Sequence, residues 1–199
     1  VDEVEPVARE IVAVNTVVNR DGKLFGYNTD IVGISVSLAD VALKGKKALI
    51  IGAGGAAQPL AYHLSKSGAS FFCHSRELDR TRLLCGRFHG TPIESINAAS
   101  DIAFDVIINA TPLGLKKDDP LPVPREMIRK DSIVFDLLYM QTPFQNEGNK
   151  RGARVITGLP MFVAQGLKQE ELWLGRTVPD FGYTALLKAE LERLAAEKL

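Results

Sequence analysis

Asp30 is the residue of this sequence whose type and position first suggest catalysis. It follows Asn28 and Thr29 in LFGYNTDIVG, residues 24–33, where a predicted strand gives way to helical spacing of apolar residues. An Asp or Thr at such a boundary commonly caps the helix by accepting a backbone N–H. The same carboxylate could assist proton transfer at a pocket, but only with a partner group. The local sequence leaves both interpretations open, and Thr29 could cap the helix while Asp30 projects elsewhere.

A glycine-rich turn provides a second chemical feature. Gly52, Gly54 and Ala57 match the pattern G-x-G-x-x-A, directly after a predicted strand and at the start of a predicted helix. The first glycine allows a tight turn, the second lets a pyrophosphate approach the backbone, and the small third residue lets the helix pack closely on the strand. We therefore predict a dinucleotide-binding loop made of Gly52, Ala53, Gly54, Gly55, Ala56 and Ala57.

The end of the next predicted strand indicates which dinucleotide is bound. An NAD site usually carries an acidic residue about 20 positions after the glycines. Ser75 and Arg76 stand there instead, and Arg80 follows one helical turn later. Because a guanidinium can hold a 2′-phosphate with two hydrogen bonds and a full charge, this pattern favours NADP. Glu77 would oppose the phosphate unless it turns away, and a solvent-facing basic helix start is the alternative interpretation.

Strands and helices alternate from residue 47 onward. The strand-like runs are KALIIGAG, SFFCHS, DVIINAT, SIVFDLLY and ARVITG, and TPIESINAASD fits a short strand and a short helix. Helical patterns lie at about 55–68, 78–89, 124–130, 143–152, 160–175 and 181–197. Such alternation predicts right-handed βαβ crossovers and a parallel sheet with helices on both faces.

The residues before this region have a different pattern. Val4, Val7, Ala8 and Ile11 share one helical face, and IVAVNTVV and KLFGYN are joined at an Asp-Gly step that is typical of a hairpin. A helix is predicted from residue 31 to about 43. The predicted fold class is therefore α/β, a Rossmann-type doubly wound parallel sheet with an N-terminal helix, a β-hairpin and C-terminal helices.

Composition narrows the function classes. Lys and Arg number 24, as do Asp and Glu, so the net charge of zero argues against a nucleic-acid or anionic-membrane partner. No apolar run approaches the ~18 residues of a membrane span. Cys73 and Cys85 have neither CxxC spacing nor clustered histidines, so we expect reduced thiols, no metal site and a cytoplasmic protein. The absence of an initiator Met leads us to expect a fragment or a processed chain.

Several motifs together carry a family resemblance. AVNTVV, GYNTDIVG, GAGGAA, SRELDR, INAT, DLLY and GLPMFVAQ occur in this order and resemble shikimate dehydrogenase over almost the whole chain. The resemblance implies reversible, NADP-dependent reduction of 3-dehydroshikimate to shikimate, within aromatic amino-acid biosynthesis. It also implies a preceding substrate-binding domain that this chain lacks. We accordingly expect residues 1–30 to be a remnant or linker of that domain and residues 31–199 to be the NADP-binding domain.

The resemblance also implies roles for individual residues. Asp30 would be the catalytic carboxylate beside a lysine of the absent domain, so this chain alone would bind the cofactor with little or no turnover. The substrate contacts would be Asn15, Thr29, Tyr139 and Gln165. The cofactor contacts beyond the glycine turn would be Ser75, Arg76, Arg80, Asn109, Thr111, Gly158 and Met161. Val12 stands where the family's GAVNT has its glycine, which suggests local repacking.

Other functions fit the same residues. One alternative is a stand-alone NADP(H)-binding sensor or scaffold without catalysis, and another is a relative that acts on quinate. A cleft without its first domain would expose apolar surface around Ala13, Val17 and the last helix. We expect this surface to promote self-association, with a homodimer as one possible form.

Overall fold

The computed structural model of the chain describes residues 1–116 and 118–196. Its first part contains β1 (Glu3–Val4), α1 (Pro6–Ile11), β2 (Thr16–Arg20), β3 (Lys23–Tyr27) and α2 (Asp30–Ser37). The strands form a small sheet in the order β1-β3-β2, with β3 antiparallel to β2. The predicted hairpin is confirmed, because Asp21 and Gly22 join its strands with φ of 52° and 86°, the left-handed values of a two-residue turn. The first helix begins later than predicted, because Val4 pairs with β3.

Val12 ends α1 in an unusual conformation. Its φ of 60° and ψ of 35° are left-handed, and its backbone N–H closes the helix on the Arg9 carbonyl. Glycine normally takes this position, because a Cβ in the left-handed region costs about 1–2 kcal/mol. The glycine of the family motif therefore corresponds to a backbone requirement of the helix end, which Val12 meets under strain.

The second part is one parallel sheet with helices on both faces. Its strands are β4 (Lys47–Ile51), β5 (Ser70–His74), β6 (Thr91–Pro92), β7 (Val106–Asn109), β8 (Ile133–Asp136) and β9 (Arg154–Thr157). Its helices are α3 (Ala57–Lys66), α4 (Leu78–Phe88), α5 (Pro143–Lys150), α6 (Leu159–Leu174) and α7 (Tyr183–Ala196). The strand order β6-β5-β4-β7-β8-β9, parallel throughout, confirms the predicted Rossmann-type fold class.

Three further predicted helices differ from those observed. The helix predicted over 31–43 ends at Ser37, and the chain then turns so that Leu38 and Leu43 both enter the core. The segment 124–130 forms only a 3₁₀ turn at Arg125–Met127, because Ile128 becomes extended and is buried. The short helix after β6 is also a 3₁₀ turn, Ile96–Ala99. The apolar spacing correctly predicted that residues in these segments are buried, but turns rather than α-helices bury them.

The core has two layers, one on each face of the parallel sheet. On one face, Ile50 and Phe135 pack with Ile34 of α2 and Leu60 of α3. On the other face, the neighbouring strand residues pack with α5; this layer includes Leu49, Ile107, Val134 and Phe144. Because both faces are covered, the strands have continuous apolar runs rather than alternation.

Gly33 lets α2 approach α6 closely. A Cβ added at Gly33 would lie 2.5 Å from the carbonyl oxygen of Met161, a backbone atom of α6. Thr29, one turn before Gly33, consequently meets Gln165, one turn after Met161, with 3.4 Å between Thr29 Oγ1 and Gln165 Oε1. The contact between these helices therefore brings together side chains that are far apart in sequence.

Replacing Gly33 by Ala should destabilise the chain by about 1–3 kcal/mol, because the added carbon forces the two helices apart. The matched control is Gly166→Ala on α6, where a Cβ would meet no atom within 4 Å. That change should be neutral or stabilising by up to ~1 kcal/mol, through helix propensity. Urea unfolding of both variants measures the difference, and equal stabilities would contradict the proposed steric contact.

Candidate active site

A cavity of about 570 Å³ opens at the carboxyl ends of β4, β5 and β7. It lies where the strand order reverses, between β4 and β7, the place at which open α/β sheets bind ligands. The walls come from the glycine turn after β4, from the β5–α4 connection and from the loop after β7. The volume lies within the ~300–1,000 Å³ of typical small-molecule sites.

The glycine turn leaves room for a ligand. Gly52 has φ of 111°, and a Cβ there would lie 2.8 Å from the Ala110 carbonyl oxygen, so only glycine fits the turn. At Gly54 and Gly55 an added Cβ would meet no atom within 4 Å, which leaves the backbone open to a bulky group. No side chain caps the helix α3 that follows, so its positive end faces the turn uncapped.

The six predicted loop residues divide into three groups. Gly52, Ala53 and Gly54 line the cavity. Ala57 is fully buried in the core between α3 and the sheet, so it serves the close packing expected of the third position. Gly55 and Ala56 lie between these sets, at the start of α3.

Ser75, Arg76 and Arg80, which were predicted to bind the 2′-phosphate, all line the cavity. Their side chains differ in whether they already bond to other groups of the protein. The Nε of Arg80 lies 2.9 Å from the Glu77 carboxylate, so Arg80 largely offsets the charge that counted against a phosphate. Ser75 Oγ lies 2.7 Å from Thr81 Oγ1 and 2.9 Å from the Glu77 carbonyl oxygen, which shapes the start of α4. Within residues 1–116 and 118–196, Arg76 forms no ion pair. Among the three predicted side chains, the Arg76 guanidinium is therefore the most available to an anion.

Asn109 organises the loop under the cavity instead of lining it. Its Nδ2 donates to the Leu113 carbonyl and to Asp136 Oδ1, both at 3.0 Å. Its Oδ1 accepts from the N–H and hydroxyl of Thr111, at 3.1 and 2.6 Å. The Asn109 amide is thus used entirely within the protein, and Thr111 is the residue of this predicted pair that reaches the cavity.

Asp136 is a buried carboxylate that sequence reasoning missed. It accepts hydrogen bonds from Asn109, from Thr142 Oγ1 at 2.6 Å, from Gln145 Nε2 at 3.2 Å and from the Leu138 N–H at 3.3 Å. Burial raises its pKa, and these donors oppose the rise. The available signal was the pattern D-x-x-x-x-x-T-x-x-Q after a strand, which places acceptor and donors at one strand end.

A second polar cluster joins the hairpin, α2 and α6. Asn15 Oδ1 accepts from the Thr29 N–H at 2.8 Å and from Thr16 Oγ1 at 2.9 Å, while Asn15 Nδ2 donates to Thr29 Oγ1 at 3.1 Å. Gln165 joins through Thr29, and Gln169 contacts both. The predicted substrate residues Asn15, Thr29 and Gln165 therefore lie together. Thr16 and Gln169 were missed. Thr16 stands in the AVNTVV motif, where only Asn15 was assigned a role, and Gln169 stands in none of the quoted motifs.

Tyr139 lies outside this hydrogen-bonded cluster. Its ring packs against Phe162 with 5.3 Å between centroids, and 42% of the residue is exposed. Gly158 and Met161, predicted near the nicotinamide, do not line the cavity. Gly158 begins α6 against the backbone of Leu137, and Met161 is buried against Gly33.

Asp30 is the first residue of α2, and it does not cap the helix. Thr29 occupies the cap position, but the hydroxyl of Thr29 is turned toward the polar cluster and bonds no helix N–H. Asn28 takes that role, with its Oδ1 3.2 Å from the Ile31 N–H. The capping interpretation is therefore wrong for the side chains of both Asp30 and Thr29, because the neighbouring amide satisfies the helix end.

The electrostatic setting of Asp30 suits a proton-handling group. Burial raises the pKa of its carboxyl, and the nearby Asn15 amide opposes the shift. No cation forms an ion pair with Asp30 in the part of the chain that the structure describes. The carboxylate is thus half-buried without a countercharge, which costs free energy and is common at functional sites.

The described residues contain neither a candidate metal site nor a candidate membrane span. No cluster of three or more His, Cys, Asp or Glu is positioned to hold a metal ion there. No helix in residues 1–116 and 118–196 has the length and apolar character to cross a membrane.

The doubly wound sheet, its glycine turn and the cavity at the strand-order reversal define a Rossmann-type dinucleotide-binding protein. The family model described as Shikimate / quinate 5-dehydrogenase matches residues 36–116. The shikimate dehydrogenase (NADP(+)) of Aquifex aeolicus is 38% identical over 182 residues, which cover 89% of this chain and 66% of that protein. The Syntrophobacter fumaroxidans protein of the same name is 34% identical over 205 residues, covering 99% and 72%.

Solved structures agree. The shikimate 5-dehydrogenase of Thermus thermophilus, crystallised with NADP(H) and shikimate, superposes with a TM-score of 0.82 at 34% identity, covering 97% of this chain and 72% of that one. This chain belongs to the shikimate dehydrogenase family, as the motifs predicted. It spans about two thirds of the length of the curated relatives that it matches, 66% and 65% for two of them.

Replacing Asp30 by Asn should make the chain relatively more stable as pH rises from about 4 to 7. Burial raises the pKa of Asp30 in the folded state, so its contribution to stability is full below the unfolded pKa of about 3.9 and is lost as pH rises through the folded value. An Asn side chain has no charge to bury. Urea unfolding of both proteins at pH 4 and pH 7 measures the difference.

The control for this prediction is Asp40→Asn. Asp40 is exposed and pairs with Arg154 on the surface. Removing its charge should not produce a gain in stability toward neutral pH. A stability difference between wild type and Asp30→Asn that does not change with pH would show that burial of the Asp30 charge has no energetic consequence.

Proposed function

We propose that this chain carries the NADP(H)-binding part of a shikimate dehydrogenase, which reduces 3-dehydroshikimate to shikimate reversibly. The observation that carries the cofactor assignment is Arg76, which lines the cavity beside the open glycine turn and has no ion-pair partner in the described chain. Family membership supports the reaction, because curated relatives are named shikimate dehydrogenase (NADP(+)).

The cavity fits a phosphorylated dinucleotide. The open backbone at Gly54 would hold the pyrophosphate at the positive end of α3, and Arg76 would hold the 2′-phosphate. Thr111 would lie along the ribose side of the cavity, steadied by Asn109. When bound, NADPH supplies the hydride.

The polar cluster would form the substrate side. We propose that Asn15, Thr29 and Gln165 bind oxygens of the substrate, and that Asp30 holds and tunes the group that gives a proton to the reacting oxygen. A carboxylate next to an ammonium group keeps that cation in position and sets its pKa. Since no described cation pairs with Asp30, we propose that the ammonium comes from the part of the relatives' length that this chain does not span.

Two consequences follow from this assignment. The chain by itself should bind NADPH with little or no turnover, because a proton donor positioned at the reacting oxygen can supply about 10²–10⁴-fold in rate. Apolar surface next to the hairpin, including Val17 at 43% exposure, would be covered by the additional domain or by a second copy.

Replacing Arg76 by Ala should weaken NADPH binding by roughly 10- to 100-fold, since charge-assisted hydrogen bonds contribute about 1.5–3 kcal/mol. NADH binding should change little, because NADH lacks the 2′-phosphate. Fluorescence titration with both cofactors measures the two affinities. Arg80→Ala is the matched control and should lose less, because Arg80 is already paired with Glu77. Equal losses for NADPH and NADH would remove the basis for the phosphate assignment.

Joining this chain to the substrate-binding segment of the Aquifex aeolicus relative should give NADP-dependent oxidation of shikimate that the chain alone lacks. Asp30→Asn in the joined protein should lower kcat by at least ~100-fold, and Asp40→Asn should leave kcat unchanged. The assay follows NADPH absorbance with shikimate and with quinate in turn.

Each outcome of this assay separates one alternative. Full activity of the chain alone would refute the need for an added amine. NADPH binding without activity in the joined protein would favour a sensor or scaffold. Faster turnover of quinate would reassign the substrate.

A further inference from the structure

We infer that Gln169 is a positioning residue that determines which end of the Gln165 amide faces the substrate. The inference rests on the proposed function, in which Gln165 contacts the substrate. Gln169 lies one turn after Gln165 on α6, and its Nε2 donates to Gln165 Oε1 at 2.9 Å. The same Nε2 lies 3.3 Å from Thr29 Oγ1. One amide group therefore holds two members of the polar cluster.

Counting donors and acceptors around Thr29 defines the arrangement. Asn15 Nδ2, at 3.1 Å, and Gln169 Nε2 both donate to Thr29 Oγ1. The Thr29 hydroxyl proton can then go to Asn15 Oδ1 or to Thr16 Oγ1, both at 3.3 Å, or to Gln165 Oε1 at 3.4 Å. Asn15 Oδ1 already accepts two hydrogen bonds, from the Thr29 N–H and from Thr16. Whichever acceptor takes this proton, Gln169 Nε2 donates to Gln165 Oε1 at the shorter distance of 2.9 Å, so Gln165 Oε1 is an acceptor within the cluster.

This arrangement decides what the other end of the Gln165 amide, its Nε2, can bind. With its Oε1 accepting from Gln169, its Nε2 has no hydrogen-bond partner among residues 1–116 and 118–196. Gln165 thus presents an N–H₂ donor, suited to an oxygen of the substrate. Reversing the Gln165 amide would set its N–H₂ against the N–H₂ of Gln169, so the two amides can only reverse together.

This coupling makes Gln169 the determinant of the donor. A glutamine at position 169 can give a hydrogen to Gln165 Oε1, whereas an ionised carboxylate at the same place can only accept. Gln169→Glu should therefore turn the Gln165 amide over and present its oxygen to the substrate. Gln169→Met keeps a similar length and removes the hydrogen bonds altogether, so the Gln165 amide should lose its fixed orientation.

The first experiment uses the chain as it is and does not depend on the proposed function. The side-chain N–H₂ signals of Gln165, assigned by their absence in Gln165→Met, should exchange rapidly with solvent in the wild type. In Gln169→Glu they should become protected, because they then donate to the introduced carboxylate. Protection should be lost again when that carboxyl is protonated below its ordinary pKa of about 4.3. Signals that are identical in wild type and Gln169→Glu would overturn the inference.

The second experiment measures substrate recognition in the joined protein. Gln169→Glu and Gln169→Met should raise the KM for shikimate about tenfold, as expected for one lost hydrogen bond of ~1.4 kcal/mol, and leave the NADPH affinity unchanged. Glu170→Gln, the exposed neighbour on α6, is the matched control and should leave both values unchanged. Wild-type KM values in both Gln169 variants would refute the positioning role. Loss of NADPH binding by the wild type would instead count against the proposed function.

Discussion

The close approach of α2 to α6 at Gly33 is the constraint on which the polar cluster depends. A side chain at Gly33 would collide with the backbone of Met161, so the distance between the two helices is determined by the absence of a Cβ. That distance allows Thr29 to reach Gln165 and Gln169, which lie more than a hundred residues later in the sequence. Asp30 then begins α2 beside this cluster, half-buried and without a countercharge. Packing between two helices therefore decides the chemistry of residues that do not themselves pack in the core.

The two halves of the candidate site are built on different principles. The proposed cofactor side is mostly backbone: a glycine turn, an uncapped helix end and a loop held by Asn109. The proposed substrate side is a network of side-chain amides and hydroxyls in which each group limits its neighbours. Backbone geometry tolerates substitutions nearby, whereas a connected hydrogen-bond network transmits them, because one changed donor forces others to rearrange. Specificity for the substrate is therefore expected to be more sensitive to single changes than binding of the dinucleotide.

The sequence predicted the fold class and the strands of the parallel sheet. The central strands β4, β7 and β8 are buried on both faces, so their apolar runs are unbroken, whereas β6 is a short exposed strand at the sheet edge. The sequence was weaker at predicting helix ends. The segment around Met127 has apolar spacing that suits a helix, but burial of Ile128 is achieved by an extended backbone. Of the four residues that the motifs predicted as substrate contacts, Asn15, Thr29 and Gln165 lie in one cluster and Tyr139 lies outside it. The motifs missed Asp136, whose local signal is the spacing of Asp136, Thr142 and Gln145 after a strand, and Gln169, whose role arises from a contact between distant elements. They also assigned helix capping to residues other than Asn28.

Val12 shows how a family motif can change while its geometry is kept. The left-handed turn at the end of α1 is retained although a branched side chain has replaced the expected glycine, and that side chain is 59% exposed, so packing offsets little of the strain. Laboratory evolution that screened only for heat resistance would find an easy improvement at this position, without touching any residue of the cleft. A sequence that keeps such an unfavourable residue is stable enough for its role and less stable than its fold allows.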